Sequence, residues 1–255
     1  DCDVCRARDA MRNITLTGLV GVAAVVTVCP VAAQTPTAFP TKPIRVIVSS
    51  APGGMGDTVT RLVTYKMGED LGQLMIVENR AGGGTTLGTR AVKAAAPDGY
   101  TLLATSNSIT SVPSLQHNPG YDALKDFAPI GQMVRSPWFL VIGGSQPDRT
   151  LGDLLARAKA APGALSFASS GTGASPHLAT EAFVRRAGVQ AVHVPYKGNG
   201  AAMPDVISGR VTMMLEGPAA AMPKVKGGQF KVLGVTSANR LEAFPDVPKI
   251  GRAHV

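Results

Sequence analysis

Short apolar runs alternate with segments of helical periodicity along most of this chain, and glycine-rich loops stand at several of the junctions. The run PIRVIVSS starts at Pro43 and is followed by the loop APGGMGD and then by apolar residues spaced three or four positions apart. The runs MIVEN, from Met75, and YTLLATS, from Tyr100, enclose a second segment of the same kind. This alternation predicts parallel strands in one sheet, joined by helical crossovers.

A second alternating unit follows a turn-rich stretch at residues 107–127. We predict strands at FAPIGQMV and WFLVIGG, and then a helix, TLGDLLARAKA, that Thr150 and Asp153 begin as a capping box. The later strands are ALSFASS, AVHVPYKG, VTMMLEG and KVLGVTS. Two α/β units predict two lobes, each a mainly parallel sheet flanked by helices, with a ligand held between them beyond the carboxyl ends of the strands.

The N-terminal region predicts export. Residues 11–33 begin with methionine and arginine, continue with an apolar run, and carry Val31 and Ala33 where a secretory signal peptide has small residues before its cleavage site. The run is short for a membrane span, which takes about 20 apolar residues. A lipoprotein is the alternative because Cys29 follows an apolar stretch, although Val28 is large for that kind of cleavage site.

Both ends of the chain carry segments that we interpret as foreign to the protein. Residues 1–10 precede the start methionine, and residues 250–255, IGRAHV, match the translation of a sequencing adapter. We therefore expect the rest of the first lobe to be missing. All three cysteines lie before Gln34, so after the expected cleavage the mature chain would have no disulfide, no thiolate nucleophile and no cysteine metal site.

The charge distribution argues against a nucleic-acid partner. The chain has a formal net charge of +8, but its lysines and arginines are scattered, and Arg185 and Arg186 are the only adjacent pair. Proteins that bind single strands interleave basic and aromatic side chains along a groove, and no such pattern occurs here.

The loop SSGTGASP, from Ser169, joins a predicted strand to a predicted helix. We predict Ser175 as the N-cap, Pro176 at the first helical position and Gly188 at the end of the helix. A loop of this kind directs backbone N–H groups and the positive end of a helix dipole to one point, which favours an anion. A tight turn without a ligand is the alternative.

The loop APGGMGDT, from Ala51, is not a phosphate-binding loop, because Asp57 and Thr58 stand where lysine and serine or threonine are required. We predict that Asp57 is the N-cap of the next helix. The functional alternative is that the backbone of Gly53 and Gly54 closes over a ligand.

Signatures of catalysis are lacking. SSGTGASP is neither a nucleophile elbow nor a dinucleotide-binding fingerprint, since Pro176 occupies the third glycine position. His177 and His193 have no spacing that indicates a catalytic triad, and no group of histidines and carboxylates has the spacing of a metal site.

Polar side chains at two predicted strand ends could contact a ligand or face solvent. Tyr196 and Lys197, in VPYKG, could donate to an anion or lie in solvent. Glu216 ends VTMMLEG and could pair with a ligand amine or face water.

Segments in order across residues 39–248 resemble the substrate-binding proteins of tripartite tricarboxylate transporters, the Bug receptors: FPTKPIRVIV, APGGMGDTVTRLV, VENRAGGG, PDGYTLL, SSGTGASPHLATEAF, VPYKGNGAAMPDVISGRVTMM and LGVTSANRLEAFPDVP. The resemblance implies a periplasmic two-lobed binding protein of the type II-like fold that captures a small carboxylate. That ligand is a dicarboxylate, a tricarboxylate, an acidic amino acid or an aromatic acid, which the receptor passes to membrane permease subunits. The resemblance implies a monomer without catalytic activity, cofactor or metal.

With the resemblance, we expect lobe 1 at residues 40–140, lobe 2 at 141–230 and a return strand towards lobe 1 at 231–249. Family members often carry aspartate where Glu216 stands. An exported hydrolase or transferase and a sensing receptor are the other functions considered. The candidate ligand-binding residues are Pro52, Gly53, Gly54, Asp57, Ser106, Asn107, Ser170, Gly171, Thr172, Gly173, Ser175, His177, Tyr196, Lys197 and Glu216.

Overall fold

The computed structural model describes residues 39–250. The expected upstream segment, the signal peptide, the lipoprotein alternative at Cys29 and residues 251–255 of the expected adapter tail lie outside the described residues. Within residues 39–250, no helix combines the length and the apolar character that a membrane crossing requires.

The first sheet has three parallel strands in the order β2-β1-β3. Helical crossovers join the strands, as the alternation of the sequence predicts, and two short 3-10 segments lie at Gly83–Thr85 and Val112–Ser114. The elements are β1 (Ile44–Val48), α1 (Met55–Leu71), β2 (Met75–Asn79), α2 (Thr86–Lys93), β3 (Thr101–Ala104) and the single-turn α3 (Ser108–Ser111).

The second sheet has five strands in the order β6-β5-β7-β4-β8, and β4 alone runs against the other four. The prediction of a mainly parallel sheet is therefore confirmed. The elements are β4 (Phe139–Gly143), α4 (Leu151–Ala160), β5 (Leu165–Ser169), α5 (Ser175–Arg186), β6 (Ala191–Pro195), α6 (Asn199–Ile207), β7 (Met213–Glu216), α7 (Pro218–Lys226) and β8 (Phe230–Val235).

The two sheets share a local arrangement that positions the loops. Strands β2-β1-β3 and β6-β5-β7 both place the first strand of the set between the second and the third. The loops after β1 and β5 are therefore equivalent, as are those after β3 and β7. In open α/β sheets, ligands bind at the carboxyl ends of the strands, where these loops lie.

The core of the second lobe lies on both faces of its sheet. All five residues of β4 are buried, which explains why WFLVIGG lacks the alternation of a half-exposed strand. Leu140 and Phe167 contribute to the cluster on one face, and Phe139 and Met214 to the cluster on the other. Each large apolar side chain buried in this way contributes about 1.5–3 kcal/mol.

The prediction of a strand at FAPIGQMV is wrong. Residues 128–138 contain no regular secondary structure, and Ile130 and Val134 are exposed. Pro129 and Gly131 both disfavour a strand, and the sheet offers this segment no pairing partner.

The segment expected to return towards lobe 1 lies with the second lobe. Strand β8 pairs antiparallel with β4 at the edge of the five-stranded sheet. Beyond it, Lys249 forms a parallel bridge with Val235, and Ile250 packs into the core on one face of the same sheet. Strand β4 also lies across the expected boundary at residues 140 and 141.

Candidate functional site

A cavity of about 1510 Å³ opens at the carboxyl ends of β1, β3, β5 and β7. Residues at or just after the strand ends of both lobes line it, among them Ser49, Ser106, Ser170 and Glu216. The wall continues on the side of the first lobe along β3 and residues 123–136. The topology therefore brings loops that are distant in sequence to one cleft.

Some of the candidate residues line this cavity: Gly54, Ser106, Asn107, Ser170 and Glu216. The others lie behind the wall or beside it: Pro52, Gly53, Asp57, Gly171, Thr172, Gly173, Ser175, His177, Tyr196 and Lys197. For both groups, contact with a ligand stays a prediction.

The glycine-rich loops of the two lobes pack against each other. A Cβ on Gly84, in the first lobe, would lie 2.7 Å from the carbonyl oxygen of Thr172, in the second. A Cβ on Gly171 would lie 3.1 Å from the Cα of Gly84, and one on Gly198 would lie 2.5 Å from the nitrogen of Ala51. Glycine is required at these positions because the two backbones approach too closely for a side chain.

Hydrogen bonds also join the lobes near the start of α5. The Ser175 hydroxyl donates to Asn107 Oδ1 at 2.6 Å, and the Ser175 amide donates to Ser108 Oγ at 3.0 Å. The prediction that Ser175 caps α5 is wrong: Ala174 is the N-cap and Ser175 is the first helical residue. Its hydroxyl bonds across the cleft instead of capping its own helix.

Two amides of the loop SSGTGASP bond within the second lobe. Gly171 N–H donates to Ser169 Oγ at 3.2 Å, and Gly173 N–H donates to His177 Nδ1 at 3.2 Å. These two amides are therefore already hydrogen-bonded and do not support the expectation that the glycine amides of this loop hold an anion. The anion-binding groups have to be sought among other atoms of the cavity wall.

Two histidines, His177 and His193, pack beside the loop SSGTGASP. The rings of His177 and His193 lie 4.0 Å apart between centroids, and Phe167 stacks on His193 at 4.9 Å. Ser169 Oγ and His193 Nε2 lie 2.6 Å apart, but Ser169 is completely buried and does not line the cavity. Burial lowers the pKa of His193, and the neighbouring His177 lowers it further.

Asp57 organises the loop APGGMGDT from inside α1. The N-cap is Gly54, so the prediction that Asp57 caps the helix is wrong. The Asp57 carboxylate accepts 2.9 Å hydrogen bonds from the Gly53 amide, from Arg61 Nε and from Asn79 Nδ2. Burial opposes its ionisation, yet the hydrogen bonds outweigh burial and hold the pKa of this carboxyl below its usual value.

The Tyr196 hydroxyl is engaged within the second lobe. It donates to Asp205 Oδ2 at 2.5 Å, and Asp205 also pairs with Arg210 at 2.6 Å. Burial, followed by the Asp205 hydrogen bond and charge, raises the pKa of Tyr196 to about 12. Lys197, the next residue, is exposed.

Glu216 is completely buried at the end of β7. Its Oε1 accepts from the Gly217 amide at 2.8 Å and from the Met55 amide of the first lobe at 3.4 Å. Burial raises the pKa of Glu216 to about 7, against the opposing effect of the hydrogen bonds from Gly217, Asn199 and Met55.

Thr85 and Asn199 are among the polar residues of the wall that sequence reasoning missed. Thr85 adopts a left-handed backbone with φ of 98°, the one such non-glycine residue among residues 39–250. Asn199 begins α6, directly after Gly198 of the VPYKGNG turn. An asparagine between two glycines at a helix start is a signal that could have indicated Asn199. A threonine next to three glycines is a weaker signal for Thr85.

A family model described as the tripartite tricarboxylate transporter family receptor matches residues 59–254. A relative from Pseudomonas sp. (strain P51), the UPF0065 protein in the tcbD-tcbE intergenic region, is 37% identical over 235 residues. That alignment covers 92% of this chain and 70% of the relative.

Solved structures support the same assignment. The periplasmic binding protein BugD is 34% identical, with a TM-score of 0.79 over 83% of this chain and 71% of that protein. The Rpa4515 protein of R. palustris, determined with adipate, is 30% identical, with a TM-score of 0.80 over 84% of this chain and 72% of its own.

These similarities confirm the two-lobed, type II-like periplasmic binding fold that the resemblance implied. They also confirm the family expected from the ordered motifs, since both the family model and the relative span most of the chain. The matched proteins are receptors and binding proteins, so the alternative of a hydrolase or transferase has no support. This chain belongs to the receptor family of the tripartite tricarboxylate transporters.

Proposed function

We propose that this chain is an extracytoplasmic receptor, located in the periplasm, that captures a small carboxylate between its two lobes. It delivers that ligand to the permease subunits of a tripartite tricarboxylate-type transporter. The relative determined with adipate supports a carboxylate ligand, because adipate is a dicarboxylate.

One observation of this structure carries the proposal: the N-termini of three helices open on the cavity. Gly54 and Met55 begin α1, Pro176 stands in the first turn of α5 and Asn199 begins α6, and all four residues line the wall. Each helix N-terminus acts as about half a positive charge. Two terminal amides are already engaged, because Met55 donates to Glu216 and Ser175 donates to Ser108, so the helix dipoles rather than these amides favour an anion. Three such termini around one cavity favour an anion.

Basic side chains add little inside the cleft. Among the described residues, the wall carries one arginine, Arg135, which is exposed, and one lysine, Lys93, which pairs with Asp126 at 2.8 Å. Backbone and hydroxyl donors can suffice, since charge-assisted hydrogen bonds contribute about 1.5–3 kcal/mol each. Two or three of them, with up to about 2 kcal/mol from a helix terminus, approach the roughly 8 kcal/mol of micromolar binding.

A thermal-shift panel tests this function. The panel contains adipate, succinate, citrate, aspartate, glutamate and benzoate, each at neutral pH, with adipamide as the uncharged match to adipate. We expect at least one acid to raise the melting temperature, because a ligand that binds only the folded state stabilises it by mass action. Adipamide is expected to cause no shift.

Recovery of the bound acid separates a receptor from an enzyme. After prolonged incubation, mass spectrometry of the released ligand should return the acid chemically unchanged. Conversion of the acid, or stabilisation by adipamide and by none of the acids, would contradict the proposal. Uptake by cells that carry the permease genes distinguishes delivery from sensing.

A further inference from the structure

Three buried side-chain atoms among residues 39–250 lack a hydrogen-bond partner, and all three belong to residues of the cavity wall. They are Thr85 Oγ1, Asn199 Oδ1 and Glu216 Oε2. Unpartnered buried polar atoms are costly and uncommon in folded proteins, so their concentration at one cavity points to a ligand that completes them.

Glu216 presents an acceptor with no cation near it. Its Oε1 receives the Gly217 and Met55 amides, and the Asn199 side chain lies within hydrogen-bonding reach of the carboxyl, whereas Oε2 has no hydrogen bond of normal geometry. Among the described residues, no lysine, arginine or histidine side chain pairs with Glu216. A fully buried carboxylate is normally balanced by a cation, and the hydrogen bonds that Glu216 accepts do not supply one.

Asn199 presents a second acceptor beside the first. Its Nδ2 donates to the carbonyl oxygen of Leu215 at 2.8 Å, which fixes the amide orientation, because the flipped amide would set two oxygens against each other. Asn199 Oδ1 is therefore the atom left free. The Asn199 side chain is also within hydrogen-bonding reach of the Glu216 carboxyl.

We propose that Glu216 and Asn199 form a subsite for an ammonium group, so that the captured carboxylate is an amino acid. This inference rests on the proposed function, because the ammonium would belong to the same ligand as the carboxylate. An ammonium has three N–H donors and no acceptor, and its charge complements a carboxylate. A hydroxyl offers one donor and no charge, so it would leave one of the two acceptors unpaired.

The subsite also ties the ligand to both lobes. Glu216 stands at the end of β7 in the second lobe, and its other oxygen accepts from Met55 at the start of α1 in the first. An ammonium on Oε2 would therefore contact a carboxylate that already bridges the cleft.

Titration calorimetry on matched acids of equal chain length tests the subsite. The sets are succinate, malate and aspartate; glutarate and glutamate; and 4-methylpentanoate and leucine. For the carbon skeleton that binds, we expect the amino acid to bind at least about tenfold more tightly than the acid without the amino group, a difference of about 1.4 kcal/mol. Glu216→Gln should reduce this preference to about threefold or less. Glu69→Gln, an exposed glutamate on α1, is the matched control and should leave the preference unchanged.

Proton release provides an independent readout. The pKa of Glu216 is about 7 in the empty site, and a docked ammonium would lower it. Binding of the amino acid near pH 7 should therefore release protons, detected as a dependence of the binding enthalpy on the ionisation enthalpy of the buffer. Glu216→Gln should abolish that release, and its melting temperature without ligand reports whether the variant is folded.

The outcomes separate this subsite from the broader function. Equal binding of the acids with and without the amino group, or a preference for malate over aspartate, would overturn the subsite and leave the carboxylate receptor intact. Retention of the preference and of the proton release in a folded Glu216→Gln protein would also overturn it. Absence of binding by every acid would overturn the proposed function and the subsite with it.

Discussion

The Ser175 hydroxyl donates to Asn107 Oδ1 across the cleft at 2.6 Å, and this bond joins α5 of the second lobe to the loop that precedes α3 of the first. Ser108 completes the contact, because its hydroxyl accepts from the Ser175 amide at 3.0 Å. Two residues that the sequence indicated as ligand contacts therefore also hold the lobes together.

We expect Ser175→Ala to weaken the closed arrangement of the lobes. Each lost hydrogen bond costs about 0.5–1.5 kcal/mol, so the dissociation constant of the ligand should rise about threefold to tenfold. Calorimetry measures the affinity, and small-angle scattering should show a larger radius of gyration without ligand. Ser208→Ala, an exposed serine at the end of α6, is the control. Unchanged affinity in Ser175→Ala would show that this bond has no part in closure.

The contact between Gly171 and Gly84 leads to a second prediction. Gly171→Ala would place a Cβ 3.1 Å from the Cα of Gly84 and should lower ligand affinity by about tenfold, because the Gly84 backbone would have to move away by a few tenths of an ångström. Gly163→Ala is a matched control, since Gly163 also has a positive φ, of 80°, but no atom lies within 4 Å of its added Cβ. Both variants should lose some stability from backbone strain. Equal affinity in the two variants would contradict a role for this glycine in closure.

The Asp57 hydrogen bonds predict a stability that depends on pH. Because the pKa of folded Asp57 lies below its unfolded value of 3.8, its contribution is full above that value and is lost as the pH falls through the folded pKa. We expect Asp57→Asn to be about 1.5–3 kcal/mol less stable at pH 7. Denaturant unfolding should show this difference shrinking below pH 3.8. A difference that is the same at pH 7 and pH 3 would argue against the ionised carboxylate as its cause.

The histidine pair beside the SSGTGASP loop predicts a pH effect of the same sign as that of Asp57, but at higher pH. Burial, and then His177, lower the pKa of His193 below its unfolded value of 6.5, so the folded state binds fewer protons than the unfolded chain. The contribution of His193 should therefore be full above pH 6.5 and should fall as the pH drops towards the folded pKa. Melting temperatures of His193→Gln should decline less between pH 6.5 and pH 5 than those of the parent protein, whereas His117→Gln, an exposed histidine, should follow the parent.

The alternation of strands and helices was predictable because each signal is local. The runs around Val46 and Phe167 form strands where their apolar patterns indicate, and Thr150 with Asp153 makes the predicted capping box at 2.9 and 3.1 Å. The family followed from the order of the motifs along the chain.

The contacts that sequence reasoning missed are those made between distant segments. Ser175 and Asp57 are residue types that often cap helices. In this structure the Ser175 side chain bonds to Asn107. The Asp57 side chain bonds to Arg61, so the capping preference alone predicted the wrong N-cap in both helices. Asn199 and Glu216 meet only because α6 and β7 converge at one cavity. The spacing of Asn199 and Glu216 along the chain does not predict this contact.

Hydrogen–deuterium exchange with and without the acid that most stabilises the protein is the most direct test of an anion held at converging helix termini. We predict increased protection in the segments 49–56, 106–107, 170–176 and at residue 199, which contain lining residues of the cleft from both lobes. Protection confined to one lobe, or located outside these loops, would contradict the account.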